Sequence, residues 1–316
     1  MSRENAVEKA HREFGGITAS MSATVCGVNP WDSPYALYQR LIGEAPPLEQ
    51  NFAMWLGGQM EGIIIRAFTR ETKLRVRRPK RAFDPDFWFE THEWGFPMGC
   101  LLDGITVDSS GQAIVEAKHA SSFAGDDWEG EPPLMYWFQM QHQLACTGWL
   151  AAYAVALVGK KLVWLRVERD DEIIAMITDA EREFYIEHLK PRVPPAIDGH
   201  TATSEAIKRQ YAHAEPGFSV IIEDAEAERL CAKYGAEGRA IEALKTEREQ
   251  TKNLLLAIVS SAESAVIGEY KVTAKEQHRS HLDVERLCAE MPEVAEKYRK
   301  VTSSRPLRVT QRKGDV

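Results

Sequence analysis

The chain has 316 residues, 44% of them hydrophobic and 27% charged, with a formal net charge of −8; that is enough for one large domain, or a domain plus a smaller part. No apolar run has the length of a membrane span, the start Met-Ser-Arg-Glu-Asn lacks the apolar core of a signal peptide, and five scattered cysteines (26, 100, 146, 231 and 288) suit reduced thiols in a cytoplasm rather than disulfides or a zinc ribbon. The acidic total argues mildly against a nucleic-acid partner without excluding one, since local patches matter more than the sum.

Residues 5–14 read as a short helix. Gly15-Gly-Ile-Thr-Ala-Ser20 then frees backbone amides, and Thr18 or Ser20 can cap a helix running to about Cys26. A capped start with outward amides is either a plain helix end or a phosphate site, and Arg12 stands just before it. Ser33-Pro34 opens a helix to Leu41, and Pro46-Pro47 breaks the chain. Residues 50–73 form a long helix with an apolar face of Phe52, Trp55, Leu56, Met60, Ile63, Ile64 and Phe68. Glu61 lies among these apolar neighbours, turned either to solvent or to a purpose.

Lys73 to Arg81 carries six basic residues: Lys73, Arg75, Arg77, Arg78, Lys80 and Arg81. Such a run is either a solvated face or a strip for phosphate backbones, and Arg75-Val-Arg77 suggests a strand edge. The aromatics of 83–96 read as core. From Gly99 to Lys118 the sequence reads as a β-hairpin, with one strand at Cys100–Leu102, turn chemistry at Asp108-Ser-Ser-Gly111, and a second strand from Ala113. Alternation puts Glu116 and Lys118 on one face and Ala117 on the other, in the core. If the strands pair, Asp103 lies near Glu116. Two carboxylates and an ammonium then meet at a buried sheet edge, which a divalent cation would compensate.

A Gly/Pro-rich loop (124–133) leads to a helix from Leu134 to Trp149, with Gln139 and Gln143 sharing a face. Residues 151–158 and 162–167 read as strands completing the sheet, and 178–191 as a closing helix. Pro194 to His200 resembles a linker, which sets an expected boundary between residues 1–193 and 194–316. Beyond it, 222–258 is an exposed long helix or helical hairpin around a thin stripe of Leu230, Tyr234, Ile241 and Leu244. One or two short strands follow at 265–272, a helical stretch at 283–298, and a closing strand at 305–309. His278 and His281 read as a solvated pair.

Asp103-(x)12-Glu116-x-Lys118 resembles the core of the PD-(D/E)xK nucleases, with Leu102 in place of the proline. Joined in order with Gly15–Ser20, Ser33-Pro34, Gly58-Gln-Met-Glu61 and Tyr136-Trp-Phe-Gln139-Met-Gln141, it resembles the YqaJ-type viral recombinases, which include the lambda-type phage exonucleases. The resemblance covers roughly residues 10–190. It implies an α/β, restriction-endonuclease-like core with a central mixed sheet flanked by helices, followed here by a mostly helical C-terminal extension. It implies metal-dependent 5′→3′ digestion of one strand of linear double-stranded DNA, leaving 3′ single strands for recombination by annealing. Glu61, Asp103, Glu116, Lys118 and Gln139 match its catalytic set. Asp103, Glu116, Glu61 and the Ala117 carbonyl match the ligands of two Mg²⁺ ions, for which Mn²⁺ is a substitute. Ser20 matches a residue of its 5′-phosphate pocket, and Arg12 matches with a one-residue shift. The implied partners are DNA, a single-strand annealing protein and copies of the same chain in a ring-shaped trimer, inside a bacterial cell carrying a phage or prophage. An endonuclease of the same fold, or a non-catalytic DNA-binding recombination module, are the competing readings.

Overall fold

The computed structural model describes residues 13–48, 50–81, 84–121, 128–301 and 304–311. Arg12, most of the expected helix at 5–14 and much of the loop at 124–133 lie outside the described residues. The chain divides into two compact units, Met1–Tyr211 and Ala212–Val316.

The first unit is built on a four-stranded mixed sheet in the order β4-β5-β6-β7. Its strands are β4 (Gly104–Asp108), β5 (Gly111–Ala120), β6 (Ala151–Val158) and β7 (Lys161–Glu168). β5 pairs antiparallel with β4 and parallel with β6, and β6 pairs antiparallel with β7. Ala113 through Ala117 of β5 are all buried, as a strand covered on both faces must be. On one face, Ala113, Val115 and Ala117 pack with Ile64, Ile65 and Phe68 of α3 (Phe52–Thr72). On the other, Ile114 joins a larger core with Met140 and Leu144 of α4 (Leu134–Thr147).

A smaller sheet, in the order β1-β3-β2, completes that larger core. It holds β1 (Ile17–Thr18), β2 (Trp88–Thr91) and β3 (Met98–Leu101). The hairpin read from sequence forms across the Asp108–Gly111 turn, but its first strand is Gly104–Asp108 rather than Cys100–Leu102. Residues 98–101 pair with Trp88–Thr91 and with β1, and Gly104–Asp108 is the strand that meets β5. The apolar run is divided between two sheets, because the Leu102 amide bonds to the Phe87 carbonyl and the chain turns at Asp103. Gly104 follows because a Cβ there would sit 2.7 Å from Cγ1 of Val76. At the turn, Gly111 takes φ +106°, and Asp108 accepts from the Ser110 amide, Tyr153 Oη and Arg166 Nε. Bonds led by the Ser110 hydroxyl hold the Asp108 carboxyl well below the usual range, outweighing its burial.

Helix α1 (Ala19–Val25) follows β1 directly and packs on α4. α2 (Pro34–Leu41) is capped by Ser33, which accepts from the Ala36 amide. α5 (Asp171–Glu183) begins earlier than expected, because Asp170 caps it through the Glu172 and Ile173 amides. It continues as a π-helical turn at Phe184–Leu189. The boundary expected at 193 falls instead after Tyr211, since α6 (Thr201–Gln210) docks on α2. Thr203 donates to Ser33 Oγ at 2.7 Å, and Tyr35 Oη to Gln210 at 3.0 Å. Sequence periodicity missed this helix because it buries only Thr203 and Ala206.

In the second unit, α7 (Ala225–Val259) is one unbroken helix of 35 residues, so the hairpin alternative is not adopted. β8 (Ser264–Ile267) and β9 (Tyr270–Thr273) form a hairpin, and α8 (Val284–Glu290) and α9 (Pro292–Lys297) follow. Residues 305–309 are coil, which corrects the expected closing strand. Arg305-Pro removes a ladder donor there.

A buried ion pair ties α4 to α5. His142 Nδ1 donates to Glu181 at 2.8 Å and Nε2 to the Gly99 carbonyl at 3.2 Å, with both side chains fully buried. Both ring nitrogens face acceptors, so the imidazolium satisfies both. Burial opposes that charge, but Glu181 raises the His142 pKa well above its ordinary value. Removing the partner, as in Glu181→Gln, is expected to cost about 3–5 kcal/mol of stability in urea denaturation. Because the folded-state pKa is raised, the contribution is complete below about pH 6.5 and is lost as pH climbs through the raised value. The wild-type advantage over the variant therefore shrinks on the alkaline side.

Candidate active site

The site lies where β5 leaves the core. Side chains at 114, 116 and 118 share the face that α4 covers, so Glu116 follows Ile114 into that core and is 3% exposed. A carboxylate so placed needs donors. Glu116 Oε1 accepts from Gln139 Nε2 at 2.6 Å and from Lys118 Nζ at 2.7 Å. Oε2 accepts from Gln143 Nε2 at 2.7 Å. The two glutamines lie one turn apart on α4, so one helix face supplies both.

Lys118 Nζ also donates to Gln139 Oε1 at 3.0 Å and lies 4.8 Å from the centre of the Tyr136 ring. Tyr136 stacks on the buried Trp128 at 5.7 Å. Burial alone would lower the Lys118 pKa, but Glu116 and Asp103 together raise it, which favours the ammonium form.

Asp103 closes the cluster from the turn before β4. Its Oδ2 accepts the Ala117 amide at 2.9 Å, crossing from one strand to the next. Among the described residues its Oδ1 takes no hydrogen bond. Burial, then repulsion by Glu116 and Glu61, raises the Asp103 pKa well above the usual carboxylate value, against the pull of Lys118 and the Ala117 amide. Glu61, from α3, is raised by burial and by Glu116. The cluster thus holds more negative charge than its own cations offset.

The structure places Asp103, Glu116, Lys118 and Gln139 together through these contacts, with Glu61 close enough to act on Asp103 electrostatically. The other expected residues are placed differently. Ser20 is exposed on α1, its Oγ 3.3 Å from Thr18 Oγ1, and no hydrogen bond among the described residues links it to the carboxylates. Arg75 is exposed. Arg77 makes one β-bridge with Ile105 and lays its guanidinium over Phe87 at 4.9 Å. Arg78 turns inward: its Nη2 lies 2.7 Å from where a Cβ on Gly62 would be, and its charge lowers the Glu61 pKa. The sequence reading did not count Gln143 or Trp128 among the site residues, although the spacing Gln139–Gln143 put both glutamines on one face and Trp128 lies in the Gly/Pro-rich loop that follows the hairpin.

Among the described residues, no three His, Cys, Asp or Glu side chains form a group arranged to hold one metal ion. The donor chemistry nevertheless fits a hard divalent cation. Asp103 and Glu116 bracket Ala117, Asp103 keeps an oxygen without a hydrogen bond, and the carboxylates repel one another.

A model of the YqaJ-like viral recombinase domain matches residues 9–149, a span that includes every residue of the cluster. The chain is 31% identical over 310 residues to YqaJ of Bacillus subtilis (strain 168), across 96% of this chain and 93% of that one. Among solved structures, it resembles an alkaline exonuclease (LHK-Exo) from Laribacter hongkongensis, with 26% identity, 64% of this chain and 96% of that one covered, and a TM-score of 0.45. A phage-related exonuclease from Haemophilus somnus 129PT matches with 13% identity, 54% and 93% coverage, and a TM-score of 0.41.

Asp103→Asn keeps an acceptor for the Ala117 amide and removes the repulsion. A raised folded-state pKa means that ionised Asp103 opposes folding above about pH 4. The variant is therefore expected to be more stable than wild type at pH 7 in EDTA, by about 0.5–2 kcal/mol, as read from urea midpoints. At pH 3 the two should converge.

Proposed function

We propose that this chain, which belongs to the YqaJ-like viral recombinase family, is a divalent-metal-dependent deoxyribonuclease that digests linear double-stranded DNA from its 5′ ends. The observation that carries this reading is the meeting of Asp103, Glu116 and Lys118 across β4 and β5, held by the Asp103–Ala117 and Lys118–Glu116 contacts.

In this reading Asp103, Glu116 and the Ala117 carbonyl would hold Mg²⁺, with Mn²⁺ as a substitute, and Glu61 would contribute from the facing helix; the ion would supply a lower pKa for the attacking water and charge neutralisation at the leaving 3′ oxygen. In its favoured ammonium form Lys118 acts first as a donor, holding the attacking water or a phosphate oxygen; it can take a proton only once its carboxylate partners are neutralised. Gln139 bonds to both Glu116 and Lys118 and sets the position of each. The Tyr136 ring lies against the ammonium. Exposed Ser20, together with Arg12, receives the terminal 5′ phosphate and fixes the cleavage register. Arg75 and Arg77 contact the phosphate backbone, and Arg78 does so only by leaving α3. The exposed 3′ strand passes to a single-strand annealing protein, and the nuclease units form a ring-shaped trimer within the host cytoplasm.

The test is digestion of linear duplexes with and without a 5′ phosphate, beside a covalently closed circle, in Mg²⁺ and in EDTA. Loss of linear DNA alone, faster with the phosphate and only with metal, is expected. Asp103→Ala and Lys118→Ala should each lower the rate at least about 10²-fold. Cleavage of the circle would make the protein an endonuclease of the same fold. Undiminished activity in either variant would remove the cluster from the chemistry.

A further inference from the structure

The second unit presents a surface that the nuclease reading does not use. α7 is 35 residues long, about 52 Å, and nearly every residue from 225 to 258 is exposed. Most helical stability in proteins comes from a packed face, and two internal glycines, Gly235 and Gly238, weaken this helix further. Its side chains make ion pairs one turn apart, such as Glu226–Arg229, Glu242–Lys245 and Glu249–Lys252. These solubilise the helix but cover no apolar surface.

Six large apolar residues of α7 fall on one seam, and exposed Leu254 and Leu256 lie beside it. Leu230, Tyr234, Ile241, Leu244, Leu255 and Ile258 are spaced by four, seven, three, eleven and three residues, each a sum of alternating steps of four and three, and are exposed by between 38% (Leu255) and 68% (Ile258). That is a heptad seam, with Ala227, Tyr234, Ile241, Arg248 and Leu255 at one core position and Leu230, Glu237, Leu244, Thr251 and Ile258 at the other. Two of these positions are charged, and they select both the partner and its direction. A parallel second copy would set Glu237 against Glu237 and Arg248 against Arg248. An antiparallel copy centred between Glu242 and Ala243 sets Glu237 against Arg248 twice. The same register sets Ile241 against Leu244, Leu230 against Leu255, Tyr234 against Thr251 and Ala227 against Ile258. It also opposes the helix dipoles. We propose that α7 pairs with α7 of a second copy of this chain in an antiparallel coiled coil with this register, so that, resting on the trimeric ring proposed above, the three α7 helices of one ring join those of a second ring.

The full-length chain tests this by charge exchange. Glu237→Arg and Arg248→Glu each place like charges in the seam. Each is expected to halve the mass measured by analytical ultracentrifugation, while the double variant E237R/R248E restores the wild-type mass. All three should digest DNA at the wild-type rate, since neither residue lies in the carboxylate cluster. Spin labels on the exposed Cys231 in a Cys288→Ser background then read the direction. An inter-label distance of about 35 Å is expected from the helix rise, against less than about 20 Å for a parallel pair. Single variants that keep the wild-type mass would overturn the pairing. A double variant that stays dissociated, or a short label distance, would overturn the register. A wild-type chain with no inter-label distance would reserve the seam for a helix of another protein.

Discussion

The structure depends on a carboxylate placed where water cannot reach it. β5 runs through the core with both faces covered, so alternation commits Glu116 to the interior as firmly as it commits Ile114. An ion left unpaired there would cost about 3–5 kcal/mol. Three donors answer it: Lys118 from the same strand face, and Gln139 and Gln143 from one face of α4. The polarity of α4 follows from that need. The helix buries Gln141, His142 and Gln143 in succession, and each has a fixed partner: the Glu168 carbonyl, Glu181 and Glu116. A helix that served packing alone would carry apolar residues at these positions.

Around this satisfied charge the fold gathers charge it does not satisfy. Asp103 enters from the turn between the two sheets, and Glu61 from the helix on the other face. Lys118 balances one carboxylate, and Arg78 draws on another. A protein selected only for stability would not keep an arrangement in which burial and mutual repulsion disfavour the ionised acids. Hard oxygen donors with surplus charge are what a divalent cation and a phosphodiester need. The membership in the viral recombinase family is in accord with that chemistry.

Much of the site was legible because its logic is local. A period of two places Glu116 and Lys118 together; turn chemistry at Asp108–Gly111 returns the chain towards Asp103; a spacing of four aligns Gln139 with Gln143. What was not legible rests on distant contacts. The run Met98–Leu102 looks like one strand of a hairpin, and only the Phe87 carbonyl and the packing of Val76 over Gly104 show that the chain changes sheets there. The arginines of 75–78 read alike in sequence, yet Arg77 covers Phe87 while Arg78 turns to α3. The unit boundary was drawn too early because α6 has little apolar surface and is held by side-chain hydrogen bonds to α2. For α7 the stripe was visible, but whether the helix doubled back was a question of its continuity.

The most direct measurement is thermal unfolding of wild type and Asp103→Asn with and without Mg²⁺ or Mn²⁺ at neutral pH. A ligand that binds only the folded state raises the midpoint in proportion to RT ln(1 + [L]/Kd). If the carboxylates are gathered to hold a metal, the ion should raise the wild-type midpoint and leave that of the variant nearly unchanged. Equal shifts in the two proteins, or no shift in wild type, would contradict the account.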